Sequence, residues 1–171
     1  MTSQARVLAS TQDAPWLPPG GRADVVLASG GEDPPEPTCL VRLLVVHDGG
    51  VLVSPRRDGG GLDIPTRRVG DESPDAALRA LAAETPAFAA EPALLGYVRN
   101  VVATPTDGYP WPVPEAHFAV WVSDLEAGRG RRAHTARWLD RHEAEEHLGE
   151  RHWWPLAAAY LAGRGRPTTS A

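Results

Sequence analysis

Two pairs of neighbouring arginines are the residues of this chain best suited to holding an anion. Arg56 and Arg57 precede a glycine-rich stretch, and Arg67 and Arg68 follow it. Because both pairs flank the same loop system, we expect them to converge in space. Arginine binds phosphate through two parallel N–H donors, so these four side chains are candidate substrate-binding residues. The alternative is that each is a solvated loop charge.

Carboxylates follow the second arginine pair, where the sequence predicts the start of a helix. Asp71 and Glu72 stand before Ser73, which is a good helix N-cap, and Pro74 suits the first helical position. Negative charge at this end of a helix is favoured by the helix dipole even without a metal. Stabilisation of the first turn is therefore one interpretation of Asp71, Glu72 and Asp75.

Aromatic side chains in a later, proline-rich loop could bind a flat ligand. Tyr109 and Trp111 could stack on a base, or they could pin the loop to the domain. His117, on the strand that follows, is either a general base or a structural histidine. The remaining histidines give no recognisable metal-binding spacing.

Composition and charge restrict the class of protein. A chain of 171 residues, 42% hydrophobic and 23% charged, fits one globular domain. The net charge of −5 argues against a nucleic-acid or membrane-surface partner. All 17 basic residues are arginine, which suggests a G+C-rich, bacterial genome.

Sorting signals and cysteine chemistry are not evident. The single cysteine, Cys39, excludes an internal disulfide framework and a cysteine-based metal cluster. The N-terminus has no basic segment followed by an apolar one, and no apolar run approaches the length that spans a membrane. We therefore expect a cytoplasmic protein.

The hydrophobic pattern predicts an α/β fold in which the candidate residues lie between strands and helices. An apolar run over 39–47 predicts a strand buried on both faces, and Asp48-Gly49-Gly50 predicts a hairpin to 51–53. Apolar residues at helical spacing predict a helix that starts after Ser73 and ends before Pro86. Further strands are predicted at 94–103, 116–122 and 137–139, loops at 66–70, 104–114 and 124–133, and helices at 141–148 and 153–161.

The stretch at 62–88 resembles the Nudix box, the loop–helix signature of the Nudix hydrolases. Leu62-Asp63-Ile64-Pro65 stands where that family has an aromatic residue, any residue, Leu and Pro. Gly70-Asp71 stands at Gly-Glu, Asp75-Ala76-Ala77 at acidic-Ala-Ala, and Arg79 at the conserved Arg. Leu81 takes the aliphatic position and Glu84 the last glutamate. Gly70 and Arg79 are thus expected to be structural residues of the box.

This chain departs from the family pattern at the positions that bind metal. The glycine pair of the family is Thr66-Arg67 here, and the loop that follows is shorter by about two residues. The glutamate after the arginine is Ala80, and the first glutamate of the pair is Ala83. The helix face that should carry several carboxylates therefore keeps only Glu84, whereas Mg²⁺ needs oxygen ligands from several groups.

The composition, which is polar and rich in Pro and Gly over 1–38, separately predicts a loosely packed N-terminal arm there, partly extended or disordered, with one short strand over 22–28. A disordered tail is predicted at 163–171.

The resemblance implies a fold and a set of roles. It implies a Nudix-like α/β/α sandwich with a mixed β-sheet over 39–162. It implies Mg²⁺ or Mn²⁺ held by Glu84, Asp71 and Glu72, or no metal if the box is inactive. Glu84 is the candidate catalytic residue. Glu115 joins it because some family members place a base or an extra metal ligand after a comparable loop.

Three functions remain open from the sequence. The first is hydrolysis of a nucleoside diphosphate derivative or a related phosphorylated small molecule, with a reduced metal site. The second is a catalytically inactive domain that binds a nucleotide or phosphorylated ligand. The third is metal-independent chemistry on the same fold. Many Nudix proteins dimerise, and the resemblance leaves a homodimer open.

Overall fold

The central feature of the fold is a mixed β-sheet. The computed structural model describes residues 5–87, 91–125 and 137–164. Within these ranges the strands are β1 (Arg6–Gln12), β2 (Arg22–Leu27), β3 (Thr38–His47), β4 (Gly50–Pro55), β5 (Leu62–Asp63), β6 (Thr66–Arg68), β7 (Ala93–Val101), β8 (Glu115–Leu125) and β9 (Arg137–Leu139). The helices are α1 (Pro74–Glu84), α2 (Arg141–Leu148) and α3 (Trp154–Arg164).

The strands follow the order β1-β2-β7-β8-β3-β4-β5, with β6 paired to β3 and β9 paired to β4. The pair β3–β8 is parallel and the other pairs are antiparallel. The predicted mixed sheet is therefore confirmed.

Helices cover both faces of this sheet, and β3 shows why. Val41, Leu43 and Val45 pack with Leu78 and Leu81 of α1 in one buried cluster. The alternate residues of β3, Leu44 and Val46, pack on the opposite face in a second cluster. That cluster also contains Leu148 of α2, Leu156 of α3 and Trp153 from the turn between the two helices. Because successive strand residues face opposite sides, the continuous apolar run of β3 is explained by burial on both faces. The predicted α/β/α sandwich is confirmed.

Local signals determined the hairpin and the first helix. Asp48 and Gly49 both have positive φ, 48° and 76°, as a two-residue hairpin turn requires. The Ser73 side chain accepts a hydrogen bond from the Ala76 N–H at 3.2 Å, and α1 ends at Glu84, before Pro86. Both elements were predicted from the sequence and are confirmed.

The N-terminal segment is part of the sheet. We expected 1–38 to be a loosely packed arm with one short strand near 22–28. That strand is β2, and it pairs with β7 over six residues, from Arg22 opposite Val101 to Leu27 opposite Gly96. β1 then pairs with β2. Loose packing is wrong for the described part of this segment, because β2 covers the edge of β7 and buries Val25 and Val26.

The predicted loop at 66–70 is also partly wrong. Thr66–Arg68 form β6, which pairs with Leu40–Arg42 of β3. The reason is that β4 pairs only with the last two residues of the ten-residue β3, so the buried backbone groups before them need another partner. β6 supplies these partners, and directly after it the Val69 N–H donates a hydrogen bond to the Cys39 carbonyl at 3.0 Å.

Some predictions fall outside the described residues. These are Phe88, residues 126–133 of the predicted loop, residues 1–4 and residues 165–171 of the predicted tail. The first residues of that loop and of that tail are wrongly predicted, because 124–125 belong to β8 and 163–164 to α3. No helix in the described ranges is both long and apolar enough to cross a membrane.

Candidate functional site

An open groove lies where the end of β4, the short strands β5 and β6, and the C-terminal end of α1 meet. Its volume is about 940 Å³. We call it the arginine groove, because its charged lining consists of six arginines and three carboxylates, Arg42, Arg56, Arg57, Arg67, Arg68, Arg137, Asp58, Asp63 and Glu84. This surface carries excess positive charge on a chain whose net charge is −5.

The predicted convergence of the two arginine pairs is found in this groove. Arg56 and Arg57 come from the turn between β4 and β5, and Arg67 and Arg68 come from β6. β6 brings the second pair close to α1, which also packs against it. Glu84, at the C-terminal end of α1, lies in the same lining.

Arg67 holds two of the three carboxylates that the sequence suggested as metal ligands. Its guanidinium lies 3.2 Å from Glu84 and 3.5 Å from Glu72. The three side chains are 33%, 62% and 47% exposed, so these are partly solvated ion pairs. Asp71 is exposed and does not line the groove.

These donors do not fit the divalent-metal centre that the resemblance implies. A Mg²⁺ site needs several oxygen ligands around one point. Within the described ranges, no three His, Cys, Asp or Glu side chains come together as a metal-binding group. Moreover, a guanidinium already lies against Glu84 and Glu72, where a metal ion would have to approach.

Trp111 contacts the site through Arg68. The Arg68 guanidinium carbon lies 4.7 Å from the centre of the Trp111 ring, within the range of a cation–π contact. The same ring packs edge-on against Phe118 at 5.2 Å. Trp111 therefore joins the proline-rich loop to β8 and also supports one arginine of the groove.

Tyr109 does not present its polar end to the groove. Its hydroxyl oxygen is buried, and burial raises the pKa of that hydroxyl. Neither Tyr109 nor Trp111 belongs to the groove lining. Their predicted role in stacking on a ligand stays a prediction.

Glu115 lies at the start of β8, away from the groove lining. One carboxylate oxygen is 3.7 Å from His117 Nε2, while Nδ1 of the same ring faces the Pro37 carbonyl at 3.2 Å. Burial lowers the pKa of His117, so this ring is neutral at pH 7. The structure thus separates Glu115 from Glu84, the other candidate catalytic residue.

The two structural residues of the box occupy a turn and an exposed helix face. Gly70 has φ of +60°, in the turn between β6 and α1, where a side chain would be strained. Arg79 is exposed on α1. The glycine thus has a clear conformational reason to be retained.

Arg56 is fixed beside two aspartates. Its Nε donates to Asp58 at 2.9 Å, and Nη1 lies 3.8 Å from Asp63. The hydrogen bond from Arg56, helped by the Gly60 N–H, lowers the pKa of the Asp58 carboxyl to about 2. This carboxylate therefore stays charged and holds the Arg56 side chain in place.

Arg42 is a groove residue that sequence reasoning missed. It lies in the middle of β3, on the face that Leu44 and Val46 share, and only 7% of it is exposed. Its Nε and Nη1 have no hydrogen-bond partner among the described residues. The signal was a single charged residue inside the apolar run 39–47.

Arg151, also missed, comes from the turn between α2 and α3. Its Nη2 donates to the carbonyl oxygens of Gly60 and Leu62, at 2.8 and 2.9 Å. It therefore ties the turn before β5 to the helical layer.

Comparison with known proteins supports the fold rather than a particular activity. No protein-family model matches the chain, and no curated protein matches it significantly. Among solved structures, a mutant of the Bacillus subtilis pyrophosphohydrolase BsRppH is similar, with a TM-score of 0.57 and 16% identity over 92% of this chain and 98% of that one. An ADP compounds hydrolase gives a TM-score of 0.48 and 15% identity, over 98% and 99% of the two chains. The likeness to the first of these structures confirms the predicted Nudix-like sandwich as the fold.

Proposed function

We propose that this chain, which has the Nudix-type fold, binds a phosphorylated small molecule in the arginine groove without needing a divalent metal. The observation that carries the proposal is the charge of the lining, six arginines against three carboxylates. A guanidinium binds phosphate oxygens through two parallel hydrogen bonds, so several arginines can replace the charge that a metal would supply. A nucleoside diphosphate derivative is the ligand class that best suits this surface.

The arginines divide into two groups with different freedom to bind. Arg56 is engaged by Asp58, and Arg67 by Glu84 and Glu72. Arg57 and Arg68 are exposed in the groove lining and have no carboxylate partner among the described residues. These two side chains would therefore make the first direct contacts with a phosphate.

Cleavage of the bound diphosphate is the second candidate function. Glu84 favours it, because this carboxylate lies in the lining of the arginine groove. Binding and cleavage differ in a simple way, since only cleavage releases a product.

The test is calorimetric titration of ADP-ribose into the full chain, once with Mg²⁺ and once with a chelator. We expect binding of similar affinity under both conditions. The double variant Arg57→Gln/Arg68→Gln should bind about a hundredfold or more weakly, because each of the two lost charged hydrogen bonds is worth about 1.5–3 kcal/mol. Arg6→Gln removes an exposed arginine of β1, outside the groove lining, and is the matched control.

Chromatography of the same mixtures separates the two candidates. Intact ADP-ribose after long incubation supports a binding domain. Product that forms in Mg²⁺ and is lost in Glu84→Gln would establish the hydrolase instead. If ADP-ribose and pyrophosphate both fail to bind under either condition, the proposed function is wrong.

Two further predictions concern macromolecular partners, namely nucleic acid and a second copy of this chain. We propose no nucleic-acid partner, in line with the net charge of −5. A homodimer stays a prediction that light scattering of the purified chain will check.

A further inference from the structure

Two donor nitrogens of the Arg42 guanidinium, at the inner side of the arginine groove, have no hydrogen-bond partner among the described residues. Only 7% of the surface of Arg42 is exposed, and yet the residue belongs to the groove lining. Nε and Nη1 are two N–H donors without a partner among the described residues. Buried polar groups are almost always hydrogen-bonded, so two unpaired donors on one buried side chain require an explanation.

We propose that Arg42 is the centre of an anion-binding subsite that takes one phosphate group of the ligand. This rests on the proposed function in assuming that the phosphate belongs to the molecule bound in the arginine groove. A phosphate offers several acceptor oxygens, one of which can accept a hydrogen bond from Nε or Nη1. The remainder of the ligand then lies towards the exposed arginines of the same groove.

The charges around Arg42 support an anion as the missing partner. Burial lowers the pKa of Arg42 to about 10, and the charges of Arg56 and Arg151 act in the same direction, while Asp63 opposes them. Arg42 therefore remains positively charged at neutral pH. The guanidinium groups of Arg42, Arg56 and Arg151 therefore act on this region together. The side chain of Asp63 is 14% exposed, and one of its carboxylate oxygens lies 3.8 Å from Arg56 Nη1.

The neighbouring histidine, His152, contributes no positive charge to this region at neutral pH. His152 is largely buried and stacks on Trp16, with ring centroids 5.2 Å apart. Burial, together with the charges of Arg42, Arg151 and Arg56, lowers its pKa to about 4. At neutral pH the subsite thus consists of arginines and one aspartate.

The described residues satisfy Arg42 only in part: the charge of Asp63 attracts it, but Nε and Nη1 have no hydrogen bond among them. A buried charge that lacks hydrogen bonds destabilises a protein, and its replacement by an apolar residue of similar volume is often neutral or stabilising. Arg42→Met should therefore separate the two roles. A structural arginine stabilises the fold, whereas a ligand-binding arginine destabilises it until the ligand arrives.

The experiment measures thermal unfolding of the full chain against inorganic phosphate, with sodium chloride at matched ionic strength as reference. For the unaltered chain we expect the unfolding midpoint to rise with phosphate, because a ligand that binds only the folded state stabilises it. In Arg42→Met we expect phosphate to bind about tenfold to hundredfold more weakly. Its midpoint in chloride should equal or exceed that of the unaltered chain. Arg6→Gln should keep the full response to phosphate.

Two results would overturn the subsite. One is a phosphate response of Arg42→Met equal to that of the unaltered chain, and the other is no response in the unaltered chain. Should Arg42→Met fail to fold, Arg42→Gln keeps a polar side chain but removes the positive charge together with the Nε and Nη1 donors. An undiminished phosphate response in that variant would also overturn the proposal.

Titration of ADP-ribose into the same variants distinguishes this inference from the proposed function. If Arg42→Met and the unaltered chain bind ADP-ribose equally, the subsite is wrong and the proposed function stands. If phosphate stabilises the chain through Arg42 but no diphosphate binds, the subsite stands and the proposed function is wrong.

Discussion

At the scale of single residues, Arg67 lies against two of the carboxylates that the sequence suggested as metal ligands. In the resemblance to the Nudix box it takes the position of a glycine, and its guanidinium contacts both Glu84 and Glu72. Ion pairs this exposed contribute only about 0–1 kcal/mol each, so the pairs matter little for stability. They do place a positive charge at the point that a metal ion would need to reach.

This arrangement predicts that restoring the box glutamates alone will not create a tight metal site. Ala80→Glu/Ala83→Glu adds two carboxylates to α1, but Arg67 remains as a competing cation. Adding Arg67→Gln to these two substitutions should yield Mg²⁺ binding that calorimetry detects. The matched control replaces Arg67→Gln by Arg79→Gln, an exposed arginine of the same helix. Equal Mg²⁺ affinity of the double variant and the Arg67 triple variant would show that Arg67 does not compete.

At the scale of elements, the packing of α3 on the sheet depends on a glycine, Gly96 of β7. A Cβ at Gly96 of β7 would lie 2.2 Å from the Val26 carbonyl oxygen and 2.7 Å from a methyl group of Leu156. β2, β7 and α3 therefore approach closely at one position that only glycine permits.

Gly96→Ala should destabilise the fold by about 1–3 kcal/mol, the usual range for overpacking a core. Because the nearest atom is backbone, the methyl group cannot be accommodated by a side-chain rotation alone. Denaturant unfolding measures the change. Gly163→Ala on α3, where a Cβ would meet nothing within 4 Å, should change the free energy of unfolding by no more than about 0.5 kcal/mol. Equal stability of the two variants would contradict the proposed close approach.

A row of polar residues connects the N-terminal strands to the rest of the sheet. Ser10, Asp24, Arg99 and His117 stand opposite one another on β1, β2, β7 and β8. Asp24 is 3% exposed and accepts hydrogen bonds from Ser10 at 2.7 Å and from Arg99 Nη2 at 2.8 Å. Burial acts to raise the pKa of Asp24, but these hydrogen bonds and the charges of Arg22 and Arg99 outweigh it and hold the pKa below its usual value.

This shift gives Asp24→Asn a defined dependence on pH. A carboxyl with a lower pKa in the folded state stabilises the fold above its unfolded pKa, near 3.9, and stops doing so as pH falls through the folded value. The variant should therefore lose about 2 kcal/mol at pH 7, and this loss should shrink below about pH 4. Asp107→Asn, in an exposed loop, is the control. A constant difference from pH 7 to pH 2 would contradict the role of the Asp24 charge.

Elements with a local signal were predicted, and elements that depend on distant partners were not. The apolar run of β3, the Asp48-Gly49 turn and the Ser73 cap each specify their structure within a few residues. β6 is only three polar residues long, and β1 mixes apolar and polar residues without regular alternation; β1 pairs with the edge of β2, and β6 with the edge of β3. No periodicity in their own sequence indicates that pairing.

The features of the candidate site also fall into those that the sequence predicted and those that depend on distant partners. The convergence of the two arginine pairs followed from their position around one connector, and both pairs do line the groove. The Arg67 ion pairs could not be predicted, because they require knowing that β6 lies beside α1. Arg42 escaped notice because a single arginine within a strand has no partner nearby in the sequence; its neighbours Arg56 and Arg151 come from other elements.

At the scale of the whole molecule, the N-terminal segment is needed to complete the sheet and one of its two cores. All six residues of β2 pair with β7, from Gly96 to Val101, and Val25 is buried in the cluster that contains residues of α2 and α3. Leu8 and Ala9 of β1 and Leu27 of β2 pack against that cluster. A chain without these strands would expose β7 as an unpaired edge and would leave the α3 face of the sheet incompletely covered.

Deletion of residues 1–28 should therefore abolish cooperative unfolding and promote self-association. The loss includes the backbone pairing of β2 with β7, the buried side chains Val25 and Val26, and the carboxylate that neutralises Arg99. Circular dichroism during denaturant titration measures the cooperativity, and size-exclusion chromatography with light scattering measures the association. Deletion of residues 1–4 alone is the control and should leave both properties unchanged. If the chain that starts at residue 29 unfolds in one cooperative transition within about 1 kcal/mol of the full chain, the loosely packed arm expected from the sequence would be correct after all.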